Sequence, residues 1–392
     1  MNTRSLFKWG IIPLLLVMVV AGVYLFRDPT LGLMIRAGMG IHSESAPRRV
    51  SGPVDRGEIC ASMKAASAYL LAQQNAKGAW LDHPGFSAIT LHSLHGALVV
   101  LGGGKEDKLS LGADYLLSLQ QGDGSFVIPF SISSAMRNYT TSLALKALVS
   151  FDLPVYAAAI EKARNFLLNA QNDEKAGYSP GESGYGGLGY APGGGADLSN
   201  LQVALDALKG SGLPDDHPFF KKAEAFVTSC QDGEGNGSAW VRGSGGFVYS
   251  PDAVGGEGPE VYGAMGFAGL KSLIFCEVDR EDPRLQEALE WIGRNYSVDR
   301  HPGKGQVSLY YYYYVMASTL SAAGIDAVET PQGRRDWRRE LAGELLARQN
   351  KDGSWANPEG KYMEGIPVLA TAYALNALTR VLEGWEAVEA SP

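Results

Sequence analysis

Cysteine and histidine are scarce in this chain, and no run of Lys or Arg is longer than a pair. The 392 residues include three cysteines and six histidines. Cys60, Cys230 and Cys276 lie far apart, show no CxxC spacing and are odd in number, which argues against a disulfide framework or a zinc ribbon. They read as buried, inert thiols. The net charge of -8 comes without a basic stripe, which excludes a nucleic-acid-binding surface. The first 30 residues differ in kind from the rest. Arg4 and Lys8 precede an uncharged apolar run from Trp9 to Phe26, closed by Arg27 and Asp28. Eighteen residues is near the lower limit for crossing a bilayer. Ala21 and Gly22 offer only a weak cleavage point well inside the run, so residues 1–27 read as an uncleaved anchor in preference to a cleaved signal. The positive end stays inside, which places the remainder on the extracytoplasmic, periplasmic side. Residues 28–57, with Pro and Arg but little periodicity, read as a tether.

Glycine is the opposite case. It supplies 49 of the 392 residues, nearly twice the usual share. The excess is concentrated between Gly177 and Gly195 and between Gly233 and Gly258, in two long loops. Elsewhere Gly belongs to a repeated phrase: an aromatic or aliphatic pair, three residues, Gln, three residues, then Gly-x-aromatic. The full phrase occurs as Tyr69, Leu70, Gln74, Gly78, Trp80, then as Tyr115, Leu116, Gln120, Gly124, Phe126, and again at Leu345, Gln349, Gly353, Trp355. Phe166, Leu167, Gln171 and Phe226, Val227, Gln231 keep the first half, and Trp291, Ile292 carries Tyr296 where Gln is expected. Repeats at a near-fixed period are the mark of an array of supersecondary units.

Before each Gln the apolar residues have helical spacing with charges on the opposite face, as in Lys162 to Ala170, which predicts a surface helix. After the Gly-x-aromatic comes a stretch apolar or small nearly all round, such as Tyr262 to Phe275 or Leu369 to Val381, which predicts a buried one. Each unit is an outer and inner helical hairpin. Successive anchors are 46, 51, 60, 65 and 53 residues apart. An open array needs polar caps at both ends, and the first and last units show none. The expected fold is all-α: an α/α toroid of six helical hairpins over residues 58–385, preceded by one N-terminal transmembrane helix and followed by a short tail at 386–392.

On these residues the chain resembles the prenyltransferase and squalene-cyclase repeat superfamily, over about residues 58 to 385. The resemblance implies the toroid and an isoprenoid-type ligand, but two of the family's chemistries lack their residues. Class II terpenoid cyclases protonate an alkene with the middle Asp of Asp-x-Asp-Asp at the start of an inner helix. Here Asp197, Leu198, Ser199, Asn200 stands at that place, with Ser199 and Asn200 where two carboxylates belong. A Ser hydroxyl cannot supply that proton. Protein prenyltransferases hold zinc with Asp, Cys and His from the later repeats, and no later inner helix here carries Cys near His. The Gly-Cys-Gly-Glu-Gln thioester phrase of complement-like domains is absent as well.

The loops before the inner helices are expected to deliver polar residues to one rim. Asp197, Glu260 and Glu364, from three units, are the candidate acid and base groups; glycoside hydrolysis uses two such carboxyls. Each also suits a helix N-terminus, where Asp197 would cap the amide of Asn200. His92, Asn138, Asn200, Tyr262, Tyr310, Tyr312 and Tyr313 are the candidate ligand contacts. Of the five tyrosines from Tyr310 to Tyr314, at most two or three can face a cavity. His92 and His95, three apart, read as a satisfied core pair, and no metal or cofactor is expected. The Gly184 to Tyr190 loop follows no strand, which rejects a nucleotide-binding reading, and is expected to form a flexible rim or cover. Three readings follow: an apolar or isoprenoid ligand in a central cavity, a carbohydrate-active enzyme using the three carboxylates, and a non-enzymatic scaffold at the membrane.

Overall fold

A computed structural model of the protein describes residues 54–103, 107–253 and 260–385. The apolar run at 9–26, the tether up to residue 53 and the tail at 386–392 lie outside the described residues, and so does the expected membrane anchor. Among the described residues no helix is long and apolar enough to cross a membrane.

Helix follows helix along nearly the whole chain. The outer helices are α1 (Arg56–Ala72), α3 (Asp107–Ser118), α6 (Ala157–Asn169), α8 (Pro218–Cys230), α10 (Pro283–Asn295) and α12 (Trp337–Arg348). They alternate with α2 (Pro84–Val100), α5 (Arg137–Ser150), α7 (Leu198–Gly210), α9 (Gly263–Phe275), α11 (Leu309–Ala322) and α13 (Pro367–Glu383). A single turn, α4 (Ile132–Ala135), and a hairpin of β1 (Val328–Thr330) with β2 (Gly333–Arg335) lie in the connections. Burial separates the two sets as the sequence predicts. Eleven of the thirteen residues of α9 are buried, against three of thirteen in α6, where only Ala163, Phe166 and Leu167 face inward. The inner helices pack in a cycle: α2 on α5, α5 on α7, α7 on α9, α9 on α11, α11 on α13, and α13 back on α2.

The repeated Gln is the bolt between neighbouring units. Its amide donates two hydrogen bonds, one to the carbonyl of its own turn glycine and one to the backbone of the next outer helix. Gln74 Nε2 reaches Gly78 O at 3.0 Å and Lys108 O at 2.8 Å. Gln120 reaches Gly124 O at 3.3 Å and Ala159 O at 2.9 Å. Gln349 reaches Gly353 O at 2.9 Å and, across 287 residues, Ser62 O of α1 at 3.0 Å. The aromatic two residues beyond the glycine is fully buried and tied to the first turns of the inner helix, Trp80 N to Ser87 Oγ at 3.0 Å and Trp355 N to Thr371 Oγ1 at 2.9 Å.

Units three and four carry the same device, which corrects the expectation that they keep only its first half. Gln171 donates to Gly186 O at 2.9 Å and Phe219 O at 3.0 Å, and Gln231 to Gly245 O at 3.4 Å and Arg284 O at 2.7 Å. The second half is displaced by insertions: Gln and Gly are 15 and 14 residues apart here, against 4 in the first unit. Gly186–Leu188 and Gly245–Phe247 are therefore the missing phrases, and Leu188 and Phe247 are fully buried. The loop expected as a flexible cover is in this part packed structure. A Cβ on Gly186 would lie 1.8 Å from Lys222 O.

The glycine is required twice over, by a left-handed φ and by the approach of the next outer helix. Gly124 has φ +93, and a Cβ there would lie 2.2 Å from Lys162 O. Gly102 has φ +70 with nothing within 4 Å. Gly124→Ala is expected to cost about 2–5 kcal/mol in chemical denaturation, and Gly102→Ala only the conformational part, about 1–2 kcal/mol. Equal losses would mean that packing between units does not fix this residue.

Candidate functional site

Asp197 opens α7 as its N-cap and is buried. Its Oδ1 accepts from the Asn200 backbone N–H at 2.8 Å, its Oδ2 accepts from Asn200 Nδ2 at 2.7 Å, and the Tyr249 hydroxyl bonds to it as well. Tyr190 lies against Tyr249. Burial lifts the Asp197 carboxyl to about 7, against the hydrogen bonds that favour its charged form. The result is a weak acid that holds its proton near neutrality, which fits proton exchange with oxygen atoms and not with an alkene. Asn138, in the first turn of α5, ties the neighbouring loop down, its backbone N–H bonding Tyr190 O at 2.8 Å and its Nδ2 bonding Gly189 O at 3.0 Å.

The other two candidate carboxylates have partners of their own. Glu364 is buried and accepts from the backbone N–H groups of Tyr310 and Tyr311 and from Asn357 Nδ2, at 3.3, 2.7 and 2.7 Å. It caps α11 from a distance, because Ser308 at that helix start supplies no side-chain cap. Burial raises its pKa. Glu260 is exposed and pairs with Lys304. The hydrogen bonds bring none of the three carboxylates to another, and the glycosidase reading gains no support.

The tyrosine run divides in a way the sequence reading missed. Tyr312 stacks on His301 at 4.8 Å and bonds Ser297 O at 2.7 Å; Tyr313 bonds Val298 O at 2.5 Å and stands edge-on to Tyr310 at 5.9 Å. These three candidate contacts fill the space between α11 and the 296–308 loop. Tyr262, beside them, lies edge-on to His301 with Lys304 Nζ 4.5 Å from its ring centroid. Tyr311 and Tyr314, not selected from the sequence, are the two that face across the cycle of inner helices. Tyr311 Oη is 2.8 Å from Ser199 Oγ, and both rings pack on Tyr373, Tyr314 in a stack at 5.3 Å. Tyr139 reaches Tyr373 from α5. The signal was available in spacing: Tyr311, Tyr314, Ser318 and Ser321 form an i, i+3, i+7, i+10 stripe of hydroxyl-bearing side chains along one face of α11.

Below the tyrosines the middle is charged. Lys146 Nζ of α5 is 2.7 Å from Asp206 Oδ2 and 2.9 Å from Tyr314 Oη of α11, the helix opposite α5 in the cycle. Lys271 Nζ reaches the same Asp206 oxygen at 2.8 Å and Ser318 Oγ at 3.4 Å. The two ammonium groups hold Asp206 well below the usual carboxylate range. The level between the two ends of the inner helices is therefore occupied by paired polar side chains. His92 and His95 lie in the second half of α2, towards the C-terminal ends of the inner helices and away from the rim where the sequence reading set them. They are no satisfied pair: both His92 nitrogens are buried without a hydrogen-bond partner, and His95 packs on Phe151 at 4.4 Å.

No protein-family model matches the chain, and no curated protein does. Among solved structures the chain is similar to the type II terpene cyclase MstE from Scytonema in its apo form, at 14% identity, with 84% of this chain and 99% of that chain covered and a TM-score of 0.53. A single-residue variant of the same enzyme, in complex with geranylgeranyl dihydroxybenzoate as substrate, matches at 15% identity, with 83% and 98% covered and a TM-score of 0.51. The fold is terpenoid-cyclase-like.

Asp197 gives a test by pH. Folded, it keeps its proton up to about pH 7; unfolded, an Asp releases it near 4. The native state binds more protons between those values, so its contribution is full below about 4 and is lost as pH rises to about 7, up to about 4 kcal/mol. Asp206, with its depressed pKa, acts only below that window. The buried histidines His83 and His301, pushed down to about 4, act in the same window with the opposite sign, so the stability of Asp197→Asn between about pH 4.5 and 7.5 is expected to follow a line more positive in slope than wild type's by up to about one proton. Parallel slopes would place the buried proton elsewhere.

Proposed function

We propose that this chain is an α/α toroid of six helical hairpins that binds an isoprenoid or other apolar small molecule at the rim formed by the N-terminal ends of its inner helices. Without the Asp-x-Asp-Asp acid and without zinc ligands, the reading is one of binding and not of alkene cyclisation. The apolar run from Trp9 to Phe26 would tether it to a membrane, with the toroid on the extracytoplasmic side.

One observation carries the reading. Phe130, Tyr190, Tyr362 and Met363 are large apolar side chains left exposed, at 92%, 40%, 73% and 47%, and all four sit on loops that lead into inner helices. Phe130, Tyr362 and Met363 also have left-handed φ of 60, 54 and 64, a conformation that costs bulky residues energy and that folds retain where function needs it. Large apolar side chains held exposed on these loops support a surface that meets a ligand or a membrane. Tyr190 joins this group to Tyr249 and Asp197, which supply a hydroxyl and a protonated carboxyl for the polar end of an amphipathic ligand.

The test uses the full chain in detergent micelles and geranylgeraniol as probe, with binding followed by intrinsic aromatic fluorescence. Saturable binding is expected, weakened about tenfold or more in Tyr249→Ala and in a Phe130→Ser, Tyr362→Ser double variant. The probe is expected to be recovered unchanged. Failure to bind it, or equal affinity in the variants, would remove the reading in favour of a membrane-surface scaffold.

A further inference from the structure

All six inner helices contribute to one cavity of about 310 Å³ at the opposite end, where their C-termini gather. Among its lining residues are His92, Lys146, Asp206, Ser318 and Arg380, one each from α2, α5, α7, α11 and α13. Three features make it unlike a packing defect. It is lined by charged groups that are themselves nearly buried, Lys146 and Asp206 with side chains 11% and 9% exposed. Lys146 and Lys271 share one Asp206 oxygen, so the buried trio carries a positive charge that no side chain among the described residues neutralises, while Arg380 is paired with Glu383 and Lys209 with Asp215 and Glu277. And His92, 9% exposed, faces the cavity with both ring nitrogens lacking a partner. With no protein group in reach among the described residues, both nitrogens are left to whatever occupies the cavity.

We propose that this cavity binds a small molecule carrying a carboxylate or phosphate group. The oxyanion sits against Lys146 and Arg380, and a further polar atom of the ligand meets His92 and Ser318. The negative ends of six helix dipoles account for cations gathering here, but they do not reach the ring of His92. A volume of 310 Å³ holds about ten waters and falls at the small end of ligand pockets, which fits a metabolite and not a lipid tail. Burial keeps His92 neutral, so it donates from one nitrogen and accepts at the other. The site lies at the far end from the rim of the proposed isoprenoid ligand and does not depend on that reading.

The experiment measures Tm of the full chain in inorganic phosphate and in acetate, each against sodium chloride at equal ionic strength. A rise of about 2 °C or more is expected in at least one of the two; a larger response to phosphate assigns the ligand group to phosphate, and the converse to carboxylate. Lys146→Met leaves Asp206 paired with Lys271 but takes the ammonium from Asp206 and Tyr314, so its Tm in chloride is expected to fall, whereas His92→Leu removes two buried nitrogens without a protein partner and is expected to fold with undiminished Tm; each variant's anion response is read against its own Tm in chloride. Both are expected to lose the anion response. No rise beyond chloride in wild type means an ionic-strength effect only and overturns the proposal, as does an undiminished rise in both variants.

Discussion

A glutamine amide has two N–H groups, and in this fold they are divided between two helical hairpins. One holds the turn that ends an outer helix, and the other takes hold of the backbone of the next outer helix. Each such bond contributes about 1 kcal/mol net, so five copies are no great part of the stability of a chain this size. Their importance is in spacing. The amide sets how far apart neighbouring hairpins stand, and at that distance the turn glycine meets the next helix backbone with no room for a Cβ. Everything that lies farther in, including which faces of the inner helices meet across the cycle, inherits this interval.

What the inner helices present to one another is not an apolar lining. Tyr314, Lys146, Asp206, Lys271 and Ser318 form a hydrogen-bonded layer between the two ends. Buried ion pairs are weak contributors to stability, since desolvation offsets most of their attraction. Here they divide the interior into two compartments of opposite character: an aromatic rim with one weak acid, and a cationic cavity with an unsatisfied imidazole. A long apolar ligand threading the whole cycle would have to displace this layer.

Local pattern made the hairpins legible from sequence, and length hid the rest. Helical periodicity gave the alternation of amphipathic and buried helices, and Gln with Gly four residues on gave the join. In units three and four the same join is formed by Gln171 with Gly186 and Gln231 with Gly245, and a fixed-spacing search cannot see a partner displaced by an insertion. The tyrosine run failed for a different reason. Five adjacent aromatics look alike in composition, and only their place with Ser318 and Ser321 on one i, i+3, i+7, i+10 stripe separates Tyr311 and Tyr314 from Tyr310, Tyr312 and Tyr313. Asp197 caps its own helix as the sequence suggests, whereas Glu260 pairs with Lys304 and Glu364 caps the helix of another unit, a fact of tertiary structure with no local signature.

The bond from Gln349 to Ser62 joins the last unit to the first across 287 residues. Chain entropy opposes such a closure by about 5 kcal/mol before any constant term, and it can form only after all six hairpins have been made. Until then the face of α2 that packs on α13 has no covering, and that face is apolar. The seam between the first and last units is therefore sealed by α13, which acts for the folding chain as a zip closes a garment: late, all at once, and with every earlier unit waiting on it.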